Sequence, residues 1–245
     1  GALADRGDRS ALPAVLEAAR AGPAEVRAAA VRALGRLGDA SAVPVLLDAA
    51  THAGGDVAST ALETLEDLGG KDVDAAIAGQ LERGDSRLRA VLIELAGRRR
   101  IASAVPALRK ALDEADELVR LAALRALGLT AGLEDLPVLI SRLVTPVAPQ
   151  ELAAAVEALK TAAKRLPDKD AFAGKVLESQ AAAPLEARTR LFEILSVVGG
   201  QKALKAVVAS ARGSEEDLKN AAMRGGVASS SDALRMRSRT SSALL

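Results

Sequence analysis

The chain has 245 residues, with 33 Lys and Arg against 32 Asp and Glu and a formal net charge of +1. It contains no Cys, Trp or Tyr, two Phe (Phe172 and Phe192) and one His (His52), while Ala supplies 55 residues. This excludes a disulfide framework, zinc–thiolate or iron–sulfur sites and a cysteine nucleophile, leaves His52 as the sole possible triad base, and offers little to stack a base or a sugar.

Ala and Leu favour helices, and the scarcity of aromatic residues disfavours a sheet. No run of 18 apolar residues lacks a charge, so no membrane insertion is expected. The start, Gly1-Ala2-Leu3-Ala4-Asp5-Arg6-Gly7, lacks the apolar core of a signal peptide. The chain is expected to be a fragment of a larger multi-domain protein, and its compartment is not legible.

The first predicted helix covers 11–20 and opens on Leu12-Pro13-Ala14-Val15-Leu16. Pro is tolerated in a first helical turn, where its missing N–H has no partner to lose. A second helix follows over 24–36, reading Val26-Arg27-Ala28-Ala29-Ala30-Val31-Arg32-Ala33-Leu34-Gly35. The same alternation predicts first helices at 41–51, 72–82, 103–113, 135–144, 168–180 and 200–211. Second helices are predicted at 56–68, 86–97, 117–128, 149–165, 184–198 and 215–224. Pro13, Pro44, Pro106 and Pro137 fall on a 31-residue grid, with Ala75 in the empty slot. Copies of the second-helix string start at Val26, Val57, Leu88, Val119, Glu151, Ala187 and Leu218. Gly35, Gly38, Gly69, Gly70, Gly97, Gly128, Gly132, Gly199 and Gly200 are read as helix closers, using the left-handed conformation. Asp56, Asp85 and Asp116 are read as acceptors for free N–H groups of second helices.

Offsets 0, 4, 5 and 8 within a second helix are mostly apolar, as in Val119, Ala123, Leu124 and Leu127. They form one stripe that a single helix pair cannot bury but a stack can. The expected fold is all-α, a right-handed α-α superhelix of about seven helix pairs. The repeats are read at 10–38, 41–70, 72–100, 103–132, 135–166, 168–199 and 200–224 of one solenoid over 1–224.

The pairs Ser41–Leu47 with Val57–Gly69, and Ser103–Leu112 with Val119–Gly128, resemble HEAT repeats, in particular the short bacterial class that is similar to phycobilisome lyases. The likeness runs over about 10–224 and is closest in the first four repeats. It implies an α-solenoid that holds partners on its concave side, lined by second helices, and it implies no single activity.

Three regions depart from the pattern. Repeat five joins its helices through Leu143-Val144-Thr145-Pro146-Val147-Ala148-Pro149. Repeat six carries both Phe residues, read as filling wider gaps, with a ligand pocket at a kink as the alternative. Repeat seven breaks off at Gly225-Gly226, and 225–245 is expected to be an irregular tail, non-native or disordered, with a basic arm as the alternative.

Two sets of residues stand out. Offset 1 holds Arg27, Arg89, Arg120 and Arg188, read as a structural ladder bracing carboxylates near Asp85 or Asp116. Offset 6 is charged in every copy, with Arg32, Glu63, Glu94, Arg125, Glu157, Glu193 and Arg224. With Arg36, Glu66, Asp67 and Arg98 these form the predicted interaction face, positive at Arg32 and Arg36, negative at Glu63, Glu66 and Asp67, and positive again at Arg98–Arg100. His52 is read as a surface or capping residue. No catalytic, cofactor or metal site is expected.

The sequence predicts a monomeric, non-catalytic interaction module or scaffold, not an enzyme, whose partner is another protein or other domains of its parent chain. The alternatives are a lyase-like or enzyme-associated protein and a nucleic-acid-binding one. Glu63, Glu94, Glu157 and Glu193 interrupt any basic groove and disfavour the last.

Overall fold

A computed structural model describes residues 9–145, 148–180 and 183–211. The predicted helix at 215–224, Arg224 and the tail at 225–245 lie outside the described residues, as do Pro146 and Val147 of the repeat-five loop.

Thirteen α-helices and four short 3-10 turns make up the regular structure among the described residues, with no strand. The helices are α1 (Leu12–Ala21), α2 (Ala24–Leu37), α3 (Val43–His52), α4 (Gly55–Asp67), α5 (Lys71–Ala78), α6 (Ser86–Arg98), α7 (Val105–Ala111), α8 (Glu117–Thr130), α9 (Leu136–Val144), α10 (Pro149–Arg165), α11 (Lys169–Gln180), α12 (Leu185–Val198) and α13 (Gly200–Ala211). Odd-numbered helices are the first of each pair and even-numbered helices the second. Prolines occupy the first turns of α1, α3, α7 and α9. In the slot without Pro, α5 stops at Gly79 instead of reaching 82.

The chain divides into two compact units, Gly1–Ala126 and Leu127–Leu245. In the first unit α1 packs on α2, α3 on α4 and α5 on α6. First helices also meet first helices (α1 with α3, α3 with α5), and second helices meet second helices (α2 with α4, α4 with α6). The second unit repeats this layering, with α9, α11 and α13 in one layer and α10 and α12 in the other. The fold is the stacked helix-pair architecture of an α-solenoid.

The apolar stripe lies where its spacing puts it. At offset 8, Leu34, Leu65, Ala96, Leu127, Leu159 and Leu195 are all fully buried. Val26, at offset 0 of the first copy, is exposed, whereas its counterpart Val119 is buried. No described repeat precedes α2 to cover it. Phe172 and Phe192 are both buried and serve as core filler.

The glycines do two different jobs. Gly70, Gly199 and Gly200 have positive φ, but Gly70 caps the start of α5 and Gly200 opens α13, so of the three only Gly199, after α12, closes a helix. Gly35, Gly97 and Gly128 do not: they lie inside α2, α6 and α8. Each faces offset 7 of the next second helix. A Cβ on Gly97 would sit 2.6 Å from Ala126 Cα, and one on Gly128 would sit 2.8 Å from Ala158 Cα. These two glycines are where backbones approach too closely for a methyl group. Gly38 and Gly132 have negative φ and close no helix in the left-handed way.

Candidate functional site: the charged face of the second helices

The helix ends fix how the second helices are presented. Asp85 caps α6, its carboxylate accepting from Leu88 N–H at 2.8 Å. Asp116 accepts from Leu118 N–H at 2.8 Å. Asp56 behaves otherwise: it lies in the first turn of α4, where Gly54 is the cap residue and no side chain bonds.

The offset-1 arginines reach mainly for main-chain oxygens. Arg27 Nε donates to Ala19 O at 3.3 Å, and Arg89 Nε donates to Leu81 O at 3.4 Å, eight residues back in both cases. Arg120 Nη1 donates to Glu114 O and Ala115 O at 2.7 and 2.6 Å. Arg89 also engages a carboxylate, its Nη2 donating to Glu114 Oε1 at 2.8 Å. The arginine fork braces the carbonyls that a helix end leaves bare, while Asp85 and Asp116 are committed to capping. Arg188 lies half-buried on α12.

The hydrogen bond and charge from Arg89 hold the Glu114 carboxyl below its usual range. Hydrogen bonds from the Ser86 side chain and the Leu118 N–H do the same for Asp116. In return Glu114 holds the Arg89 guanidinium above its ordinary value.

Offset 6 points to solvent. Arg32, Glu63, Arg125, Glu157 and Glu193 are exposed and Glu94 is half-exposed. In the first unit, part of this face neutralises itself. Arg98 pairs with Glu66 across α6 and α4 and lies 3.9 Å from Glu94 on its own helix. Arg125 of α8 pairs with Glu94 at 3.2 Å. Glu66, Arg98, Glu94 and Arg125 thus form one chain of alternating charges over three helices.

Arg99 does not belong to the positive patch predicted at Arg98–Arg100. Its side chain is 9% exposed. Nε and Nη2 donate to Asp74 Oδ1 at 2.9 and 2.6 Å, and Nη1 donates to Leu65 O and Glu66 O at 2.7 and 2.9 Å. It ties the end of α4 to α5 from beyond α6. Arg165 makes the like contact in the second unit, donating to Ala131 O, again 34 residues back. Neither bracing role is legible in the sequence, because an acceptor one repeat away leaves no local pattern. The only available signal is a basic residue at the end of a second helix.

Beside the self-paired chain lies an open cleft of about 560 Å³ between α2 and α4, lined by Arg32, Gly35, Arg36, Glu63, Thr64 and Asp67 among others. Among the described residues Arg32, Glu63 and Asp67 enter no ion pair. Thr64 is buried and donates to Val31 O at 3.5 Å. A smaller cleft of about 300 Å³ in the second unit is lined by Leu143, Thr145, Leu152, Pro184, Ala187 and Arg190 among others, and neither Phe reaches it. His52 is exposed, its Nδ1 3.1 Å from Asp48 Oδ1. No described helix is long and apolar enough to cross a membrane.

HEAT repeats match residues 1–66 and 73–160, more than half of the chain. No curated protein matches the sequence. The structure is similar to the complex of CpcE and CpcF of phycocyanin lyase from Nostoc sp. PCC7120, with 22% identity, 86% of this chain and 85% of that one covered, and a TM-score of 0.45. It is similar to an engineered protein at 18% identity, 86% and 66% coverage and a TM-score of 0.43. It is also similar to human deoxyhypusine hydroxylase in complex with glycerol, at 16% identity, 94% and 99% coverage and a TM-score of 0.41. One expectation is corrected here: two of these three structures bear enzyme names, and the reading of the chain as not an enzyme does not stand. The grid of helix pairs, the buried stripe at offset 8 and the matched repeats agree, and the chain belongs to the HEAT-repeat family.

Proposed function

We propose that the chain is a protein-binding module that engages its partner on the charged face of its second helices. The observation that carries this reading is the repeated offset-6 position, which presents a charged side chain to solvent on α2, α4, α6 and α8 of the first unit and on α10 and α12 of the second. Charges arranged this way select partners by pattern while contributing little to stability. The partner is another protein or a further part of the parent chain. The reading covers an enzyme-associated subunit as well as a scaffold, and the two are separated by whether the captured partner turns over faster with the chain present.

The test is affinity capture with the chain as bait, followed by mass spectrometry, against a bait carrying Glu63→Lys, Glu157→Lys and Glu193→Lys. The expected result is a partner retained by the first bait and lost from the second, with equal helix content by circular dichroism. Equal capture by both baits would overturn the assignment of the face.

A further inference from the structure

We propose that the cleft between α2 and α4 is the specificity site of this face, and that it takes an extended polypeptide segment carrying an acidic and a basic side chain two residues apart. The inference rests on the protein-binding reading and adds the partner's chemistry.

Arg32 and Arg36 stand one turn apart on α2, and Glu63 and Asp67 one turn apart on α4. Like charges at this spacing work against a helix. On the next steps of the face the charges are settled internally, through Glu66 with Arg98 and Glu94 with Arg125. A partner would have to break those pairs to use them. At the cleft, Arg32, Glu63 and Asp67 remain available to an incoming segment.

The floor of the cleft is open for a reason other than packing. A Cβ on Gly35 would meet Thr64 Cγ2 at 3.5 Å, an ordinary contact, while the equivalent atom on Gly97 or Gly128 would strike backbone. The glycine at 35 therefore answers no crowding, and what its missing side chain leaves is room.

The two rows of charge select the occupant. Glu63 and Asp67 repel a polyphosphate, and Arg32 repels a purely basic tail. Neighbouring helix axes lie roughly 8–10 Å apart. Side chains two residues apart on an extended strand share one face and stand about 6.6 Å apart, and their own length covers the remainder. An acidic-x-basic triplet crossing from α2 to α4 meets an opposite charge at each wall.

The test uses the full chain and a displayed library of random 12-residue peptides. Acidic-x-basic triplets are expected to be enriched. Fluorescence anisotropy of an enriched peptide is expected to show at least tenfold weaker binding to Arg32→Glu, to Glu63→Lys and to Gly35→Leu, each with unchanged circular dichroism. Binding is expected to weaken further between 50 and 500 mM salt, at roughly the rate screening dictates. Enriched peptides without the triplet, or peptides indifferent to these variants, would overturn the cleft and leave the wider face to the capture experiment. Tight binding of oligothymidylate that is lost with Arg32→Glu would overturn it in favour of a polyanion. Failure to enrich any peptide while capture still finds a partner would also overturn it and spare the module reading.

Discussion

Gly97 and Gly35 occupy the same repeat position and predict opposite outcomes. Gly97→Ala forces a methyl group into the Ala126 backbone, so a loss of about 1–3 kcal/mol is expected. Gly35→Ala meets only an ordinary contact and raises helix propensity, so a gain of up to about 1 kcal/mol is expected. Urea titration of both variants measures the contrast, and a loss at both positions would contradict it. Arg99 and Arg98 form a second contrast. Arg99→Ala strands the Asp74 carboxylate and two carbonyls of α4, and is expected to cost roughly 2–4 kcal/mol. Arg98→Ala removes a side chain that is 54% exposed and is expected to cost under about 1 kcal/mol. Sequence alone shows three adjacent arginines, Arg98 to Arg100, and no way to rank them. Their difference comes from a neighbour 34 residues away and from Arg100 taking a φ of 54° where the chain turns out of α6.

Among the elements, the helices were legible because propensity, Pro placement and apolar spacing all agree, and observed ends mostly fall within two residues of those expected. The glycines inside α2, α6 and α8 were misread because a closing glycine and a close-approach glycine look alike in a string. The turn between α7 and α8 carries a pH-dependent element that sequence could not assign. Glu114 is held below its usual range by Arg89, and Asp116 by Ser86 and Leu118. A carboxyl whose folded pKa lies below its unfolded value stabilises the fold above that unfolded value and loses the contribution as pH falls through the folded one. Stability is therefore expected to fall below the ordinary carboxylate range, and Glu114→Gln with Asp116→Asn is expected to flatten that acid limb. Chemical denaturation at several pH values compares the slopes, and parallel curves would rule the turn out as the source.

At the scale of the whole molecule, the buried residues described are mostly Leu, Val and Ile, interleaved with many alanines. Each stripe leucine at offset 8 is fully buried, so Leu34→Ala, Leu65→Ala, Leu127→Ala and Leu159→Ala are each expected to cost roughly 2–5 kcal/mol. Ala-rich surroundings can close in on the space, which favours the low end of that range. A loss below about 0.5 kcal/mol at any of the four in a denaturant titration would mean that its register is wrong. The candidate face was legible as a row of positions, since the repeat alone places offset 6 outward. Which charges on that row are free was not legible, because pairing depends on side-chain reach between adjacent helices.

The contrast between Gly35 and Gly97 also has a mechanical side. Under a bending load, a row of joints yields where there is slack and bottoms out where hard parts already touch. The α6/α8 joint has backbone against backbone at Gly97 and Ala126, and its travel is spent. The α2/α4 joint keeps about a methyl group's worth of clearance at Gly35 and Thr64. Within the first unit, thermal bending is thus expected to concentrate at that joint. The cleft mouth would then widen and narrow while the paired steps beside it hold their spacing, acting as a compliant jaw on a stiff handle.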